Sequence, residues 1–494
     1  MSPRDLRKKH PKFIYESFAY SLRKDAFRME FKFKLEPNIY FSPAVVIRGT
    51  PSSRIKKLPK KVLDNFVFHI GLAELPSYWK CATSPLIEIK AAHLNTYQLR
   101  WWKKLLLNGL AEFFYVNRID PETMPFRIVS TNENKLGIST ISPGRNVNRK
   151  YLIPVGGGKD SLVAIKLAKT MRKKIGTMVL GNVKASHNLI KACTLKPPVA
   201  IQRTIDETLL RLNTKGYLNG HTPFSSYLAF LSVFCAEIFD YGTVAAGNER
   251  SANEATLLSG DEKINPHTKR GAASSASIKT PRYGVGVNHQ YSKSYEFEKD
   301  FRGYIKKYLT KEINYFSVLR PLYEIQIAKL AVQFPTELNV IRSCNLELKE
   351  NSWCGKCPKC FNVFLLLYPF SDTDSLQQLF GKNLFEDQTL WKFVPELTGL
   401  KNKKPFECVA TRRENVAALV LAYEKCKKDG KEAPYILRRF HETIEPQIRI
   451  SKKTIDHIMH SWDDKNFLPP PLASRIYRKM MRATDDSSKN LLKD

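Results

Sequence analysis

Residues Tyr151–Ala164 read Y-L-I-P-V-G-G-G-K-D-S-L-V-A, a short β-type run that stops at three consecutive glycines before an amphipathic helical pattern. Glycine lets the backbone turn its N–H groups inward, and a helix start adds unpaired donors and the positive end of a dipole. Strand, bend and helix together form a cradle for a polyphosphate. The loop is not a Walker A motif, because the glycine-lysine-serine ending after a four-residue gap is missing. Further on, Cys344, Cys354, Cys357 and Cys360 are separated by nine, two and two residues. Four thiolates suit a tetrahedral zinc ion, although overlapping C-x-x-C steps also occur in iron–sulfur proteins. A set of four leaves no open position, so the expected role is structural.

The elements that must position these groups alternate. Candidate strands are Tyr151–Val155, Ile175–Leu180, Val199–Arg203, Gly242–Ala246 and Leu338–Arg342, with helical patterns between them. That order predicts an α/β fold with a doubly wound, mostly parallel sheet. Ligands of such sheets sit beyond the carboxyl ends of the strands. Three polar clusters fall there: Gly247-Asn248-Glu249-Arg250-Ser251, Asn219-Gly220-His221-Thr222, and Val287 to Ser294 with His289 and Lys293. Thr222-Pro223 reads as the cap and first position of a helix that is apolar on nearly every face and hence buried.

Three regions are expected: an N-terminal α+β region over 1–148, suited to substrate recognition, a central domain over 149–368, and a mostly helical region over 369–494. In the first, Phe31–Leu35 alternates apolar and basic as a half-buried strand does, and Asn65–Ile70 looks similar. Thr96–Tyr115 carries Leu and Trp at helical spacing. Residues 259–282 read as a flexible polar loop, and the tail from Asp485 as frayed.

Against 47 acidic residues stand 80 Lys and Arg, a formal charge of +33. This suits an anionic substrate, or nucleic acid, but there is no long arginine-rich arm, so nucleic acid is disfavoured. No run approaches the ~18 apolar residues of a membrane span, and the start of the chain lacks the apolar segment of a secretory signal. Nine cysteines, four of them clustered, point to a reducing compartment and a metal site rather than a disulfide framework. A cytoplasmic protein is expected.

The loop Gly156-Gly157-Gly158-Lys159-Asp160-Ser161 resembles the S-G-G-x-D-S signature of the PP-loop, or N-type, ATP pyrophosphatases, with Gly156 in place of the leading serine. That family splits ATP between the α and β phosphates, transferring AMP to an acceptor. The resemblance implies that the amides of Gly157 and Gly158, with Ser161, hold the β and γ phosphates. Lys159 adds a cation, and Asp160 orients the loop or Mg²⁺. A similar cysteine arrangement holds a structural zinc in 7-cyano-7-deazaguanine synthase, another PP-loop enzyme.

The wider series is more specific. Gly156–Ser161, Leu218–Pro223, Gly247–Ala252, Asn288–Ser294, Leu319–Leu322, Ser343–Asn345, Trp353–Cys360 and Lys404–Cys408 keep the order and spacing of the bacterial UDP-N-acetylmuramoyl-L-alanyl-L-glutamate epimerase family. The similarity spans roughly residues 100 to 411. It implies a UDP-linked muramoyl dipeptide as substrate and use of ATP and Mg²⁺. Asn248, Glu249 and Arg250 are then expected at the nucleotide. Adenylating a carboxylate neutralises it and acidifies its α-carbon, which gives a pyrophosphatase loop a reason to exist in an epimerase. His289, His221 and Cys408 are candidates for the proton-transfer base, with Lys293 as a cationic partner. The rival reading is a PP-loop enzyme that adenylates an RNA base or another small acceptor.

Overall fold

The alternation in Ala26–Leu35 works as expected: Phe27, Met29, Phe31, Phe33 and Leu35 are buried, whereas Arg28, Glu30 and Lys32 face solvent. The computed structural model describes residues 1–137, 150–257, 286–448 and 450–491. The polar loop expected over 259–282 lies outside these residues.

One 11-stranded sheet organises the chain. Its strands are β1 (Lys12–Arg23), β2 (Ala26–Leu35), β3 (Ile39–Phe41), β4 (Ala44–Arg48), β5 (Leu86–Ile89), β6 (Arg127–Ser130), β7 (Lys150–Pro154), β8 (Lys174–Leu180), β9 (Val199–Thr204), β10 (Thr243–Ala246) and β11 (Asn314–Ser317). They lie in the order β11-β10-β7-β8-β9-β4-β2-β1-β5-β6, with β3 on β2. From β11 to β9 every pairing is parallel. At β9–β4 the sheet turns antiparallel and continues through β4, β2 and β1 before β5 and β6 add parallel edges. The N-terminal strands therefore extend the central sheet. Tyr151–Ile153 of β7 and all of β10 are buried, as central parallel strands must be. Pro154 is the last residue of β7, where its missing donor does no harm.

Chain order reverses between β7 and β10: β8 and β9 continue to one side, β10 and β11 to the other. Such a switch point, here at the carboxyl ends of β7 and β10, is where sheets of this kind bind their ligands.

Three local expectations are corrected. Asn65–Ile70 is not a strand but part of the helix Lys60–Trp79, which is buried along nearly its whole length. A segment apolar on all sides shows no periodicity by which to separate helix from strand. Leu338–Arg342 is not a strand either. Pro335 starts a short helix that ends at Leu338, and the outermost parallel strand is β11, whose four residues carry too little pattern to stand out. The buried helix is present as Phe224–Ile238, but Pro223 is its cap, and Thr222 instead accepts a hydrogen bond from Lys80 Nζ at 2.8 Å. This helix packs on Lys60–Trp79, where the Phe66 and Phe234 rings lie 5.4 Å apart. From Thr373 on, the described residues form helices, and the last of them runs Pro470–Leu491.

Candidate functional site

The phosphate-type loop leaves β7 and enters the helix Lys159–Lys169, with Gly158 as its cap. Gly157 has φ +87°, and a Cβ there would come within 2.7 Å of Ala185 Cβ and 2.8 Å of the Ser186 nitrogen. No other residue fits both the backbone and the space. Ser161 Oγ accepts from the Gly156 amide at 3.0 Å, closing the bend over itself.

Lys159 is buried and bridges two carboxylates, Asp160 at 2.6 Å and Glu324 at 2.8 Å. Glu324 opens the helix Glu324–Ala331, reached through the turn after β11. Burial pushes the Glu324 carboxyl above the ordinary range. Asp160 moves the other way: burial opposes its ionisation, but Lys159 outweighs this, with Lys293 and Lys359 adding to it. The negative charge beside Lys159 therefore belongs to Asp160.

Glu249 follows β10 across the switch point. It is 1% exposed, and neither carboxylate oxygen has a hydrogen-bond partner. Burial raises its pKa although Lys293 and Lys159 pull it down. A buried, unpaired carboxylate costs stability unless something else completes it, and a hard divalent cation such as Mg²⁺ suits these oxygen donors. Beneath it, the fully buried Arg320 donates to the Glu249 carbonyl at 2.7 Å, to the Lys293 carbonyl at 2.5 Å and to Glu298 Oε2 at 3.0 Å. One guanidinium thus sets the position of two site residues. Asn248 donates to Ser317 Oγ at 3.2 Å. Arg250 is directed elsewhere: it bonds Ser461 Oγ at 2.9 Å, pairs with Asp463 at 3.5 Å and stacks on Tyr323 at 4.2 Å.

Cys408 lies on a loop pinned at both ends. Lys404 Nζ and Arg412 Nη1 hold Glu254 Oε1 at 2.8 and 3.1 Å, and Glu407 accepts from Asn345. The half-buried thiol sits 3.3 Å from Lys293 Nζ. His289 hydrogen-bonds Glu112 and lies beside Cys408, and its own amide donates to Thr256 Oγ1 at 3.1 Å. Burial opposes ionisation of the thiol, yet Lys293, His289 and Lys359 outweigh it, and the pKa of Cys408 falls well below the usual thiol range. Burial likewise opposes protonation of His289, but Cys408 and Glu112 hold its pKa at about 9. At neutral pH the pair is a thiolate and an imidazolium. His221 packs 4.5 Å from the His289 ring and 3.3 Å from Glu112, and burial together with the His289 charge drives its pKa down to about 3. The ligand atoms of Glu112, His221 and His289 lie within 4.8 Å of one another, a spacing a cation can also use. Here His289 is already engaged on both sides.

The sulfurs of Cys344, Cys354, Cys357 and Cys360 all lie within 4.8 Å of one another, with Cys354 and Cys360 at 3.6 Å. Three of the four residues are buried, and the donor set fits a closed zinc site. Cys357 caps the helix Pro358–Leu367, so an ion held there would fix the turn that carries Lys359, which bonds Asn345 Oδ1 at 3.3 Å.

The switch point brings together Gly156–Ser161, Glu249, Lys293, His289 and Cys408, and leaves Arg250 outside. Sequence reading missed Glu112, Glu324, Arg320, Lys80 and Lys359. Glu112 carried a faint signal, a lone carboxylate inside the apolar stretch Leu105–Tyr115. Arg320 and Lys359 lay within matched motifs, but no role was attached to them. Lys80 bonds Thr222, and burial lowers its pKa to about 8.

The family model described as MurL N-terminal domain matches residues 4–273 and 269–318, and that described as MurL C-terminal domain matches 340–454. Three relatives each bear the name UDP-N-acetyl-alpha-D-muramoyl-L-alanyl-L-glutamate epimerase. The one from Micromonospora sp. is 30% identical over 416 residues, 81% of this chain and 83% of its own. The one from Salinispora tropica is 31% identical over 368 residues, 73% of each chain. The one from Xanthomonas oryzae is 28% identical over 412 residues, 81% of this chain and 83% of its own. No solved structure matches the chain. With both family models matched in order along most of its length, the chain belongs to the MurL family.

Proposed function

We propose that this protein is an ATP-dependent epimerase that converts the terminal L-glutamate of UDP-N-acetylmuramoyl-L-alanyl-L-glutamate to D-glutamate in peptidoglycan precursor synthesis, through adenylation of the glutamate carboxylate. The observation that carries the reading is the joining, at one switch point, of a strand–glycine bend–helix cradle to an ionised thiol–imidazole pair. The names of the three relatives support the substrate.

In this reading the sheet is of PP-loop type, and the amides of Gly157 and Gly158 with Ser161 grip the leaving diphosphate. Asp160 and Glu249 are the carboxylates that would hold Mg²⁺, which would supply positive charge to the phosphates. Lys293 neutralises charge that develops on the glutamyl carbonyl or the phosphate. Proton transfer at the α-carbon falls to the pair His289 and His221, with Glu112 orienting them and Cys408 beside His289. Release of the acyl group to water yields the D-epimer and AMP, with pyrophosphate already gone. Zinc on the four cysteines is structural. No helix among the described residues is long and apolar enough to cross a membrane, and ATP with a UDP-linked acceptor argues for the cytoplasm.

The deciding assay incubates the protein with ATP, Mg²⁺ and the L-Ala-L-Glu precursor and measures D-glutamate and AMP together. Both form in step, and Asp160→Ala removes both. Formation of ADP and orthophosphate instead would overturn the reading. The charge of +33 favours one rival, an RNA acceptor. Co-purifying RNA with steeply salt-dependent binding would support it.

A further inference from the structure

The Cys408 pair has a property that proton transfer alone does not use. Two cations face the sulfur: Lys293 Nζ at 3.3 Å and the His289 imidazolium, itself held by Glu112. A group whose proton affinity has been lowered this far is a poor base toward a carbon acid. Its nucleophilicity declines far less, because thiolate reactivity follows basicity with a slope of only about 0.4–0.5. An environment that strips a thiol of basicity while leaving it nucleophilic suits attack on carbon rather than abstraction of a proton. A nucleophile beside an imidazole that an orienting carboxylate holds is the grouping of acyl-transfer sites.

The surroundings fit that role. Cys408 is half-buried rather than sealed, and its loop is immobilised through Lys404, Glu407 and Arg412. Lys293 links it to the phosphate loop, since its ammonium is held charged by Cys408, Glu249 and Asp160 against the effect of burial.

We infer that Cys408 is a nucleophile that takes the glutamyl group from AMP, so that the α-carbon is inverted while the substrate is bound to the enzyme as a thioester. The inference rests on the adenylation reading above and adds one step to it. The Cys408 sulfur attacks the acyl carbon, a C–S bond forms, the C–O bond to AMP breaks, and AMP leaves with that electron pair. The thioester keeps the α-carbon acidic and resists water longer than a mixed anhydride does. The α-proton passes to neutral His221, and the His289 imidazolium returns a proton to the other face of the carbon. Water then attacks the acyl carbon, the C–S bond breaks, sulfur departs as thiolate, and the D-glutamyl carboxylate and two protons are released.

The test is rapid quenching of the full-length protein with ATP, Mg²⁺ and UDP-N-acetylmuramoyl-L-Ala-L-Glu, followed by intact-mass measurement and peptide mapping. Expected is a mass increase equal to the substrate less one water, mapping to position 408 and released by hydroxylamine. In Cys408→Ser the corresponding oxygen ester accumulates, because its leaving group is poorer. Cys408→Ala still releases pyrophosphate in a single turnover, but epimerisation drops by at least about 100-fold. No adduct in either the wild type or Cys408→Ser, or wild-type epimerisation by Cys408→Ala, overturns the thioester while leaving adenylation standing. Absence of AMP from the wild type removes the adenylation reading and the thioester with it.

Discussion

Lys293 Nζ lies 3.3 Å from Cys408 Sγ, although the two residues are 115 positions apart in the chain. Each explains the other's charge. The ammonium holds the sulfur as thiolate, and the sulfur helps hold the ammonium protonated despite its burial. Lys293 also faces Glu249 and Asp160, so it is the electrostatic bridge between the phosphate loop and the thiol.

Replacing Lys293 by Met is therefore expected to raise the pKa of Cys408. Alkylation of Cys408 by iodoacetamide, followed by peptide mass, reads this directly. In the wild type labelling persists at pH values below the usual thiol range, and in the variant it declines at distinctly higher pH. Identical pH profiles for the two proteins would contradict the charge pairing.

Glu112→Gln keeps a hydrogen-bond acceptor for His289 but removes the charge. The imidazolium loses a partner, so the His289 pKa drops from about 9. Epimerisation is expected to decrease by about 10²- to 10⁴-fold, with the alkaline limb of the pH profile moving to lower pH. A change in overall rate with no movement of that limb would reduce Glu112 to a structural role.

Glu249 is buried with both carboxylate oxygens unpaired, a cost to the ligand-free fold. Glu249→Gln keeps a buried polar side chain without partners, so stability is expected to change by less than about 1 kcal/mol. The substitution should cut pyrophosphate release by at least about 100-fold. Stability measured in urea and product release measured together decide the matter, and a variant that is less stable yet fully active would show that the carboxylate is structural.

His69 provides a pH test away from the site. It is 1% exposed and bonded to the Asn65 carbonyl and the Tyr304 hydroxyl, and burial lowers its pKa from 6.5 to about 4. The unfolded chain then binds the extra proton first as pH falls, so stability declines from about 6.5 downward and the loss is complete near 4. Between pH 7 and 5 this single group removes about 2 kcal/mol. Comparing urea unfolding of the wild type and His69→Gln at both values isolates it, since the variant lacks this component of the slope.

The cysteine cluster predicts bound zinc in a stoichiometry near one per chain by elemental analysis. Cys354→Ser should lose the metal and loosen the turn that carries Lys359, with a smaller cost to the rest of the fold, because this residue is the most exposed of the four. Retention of metal by the variant would rule out a four-thiolate site.

Much of the site was readable without coordinates because its signals are local. Gly156–Ser161 announces itself through a bend that only glycine tolerates at Gly157, between a strand and a helix. The cysteine spacing and the alternation of β2 are local in the same sense. Glu249 and Lys293 were found because they follow strands or turns that a doubly wound sheet must aim at its crevice. What only the tertiary structure decided is which charges meet. Glu112, from a helix remote in sequence, reaches His289, Glu324 reaches Lys159, and Arg250, inside a matched motif, turns to Asp463. The joining of β4 to β9 and the helical state of Asn65–Ile70 were decided there too. Backbone turns and ligand spacings depend on neighbours within a few residues, whereas burial and proton affinity depend on what the folded chain packs against them.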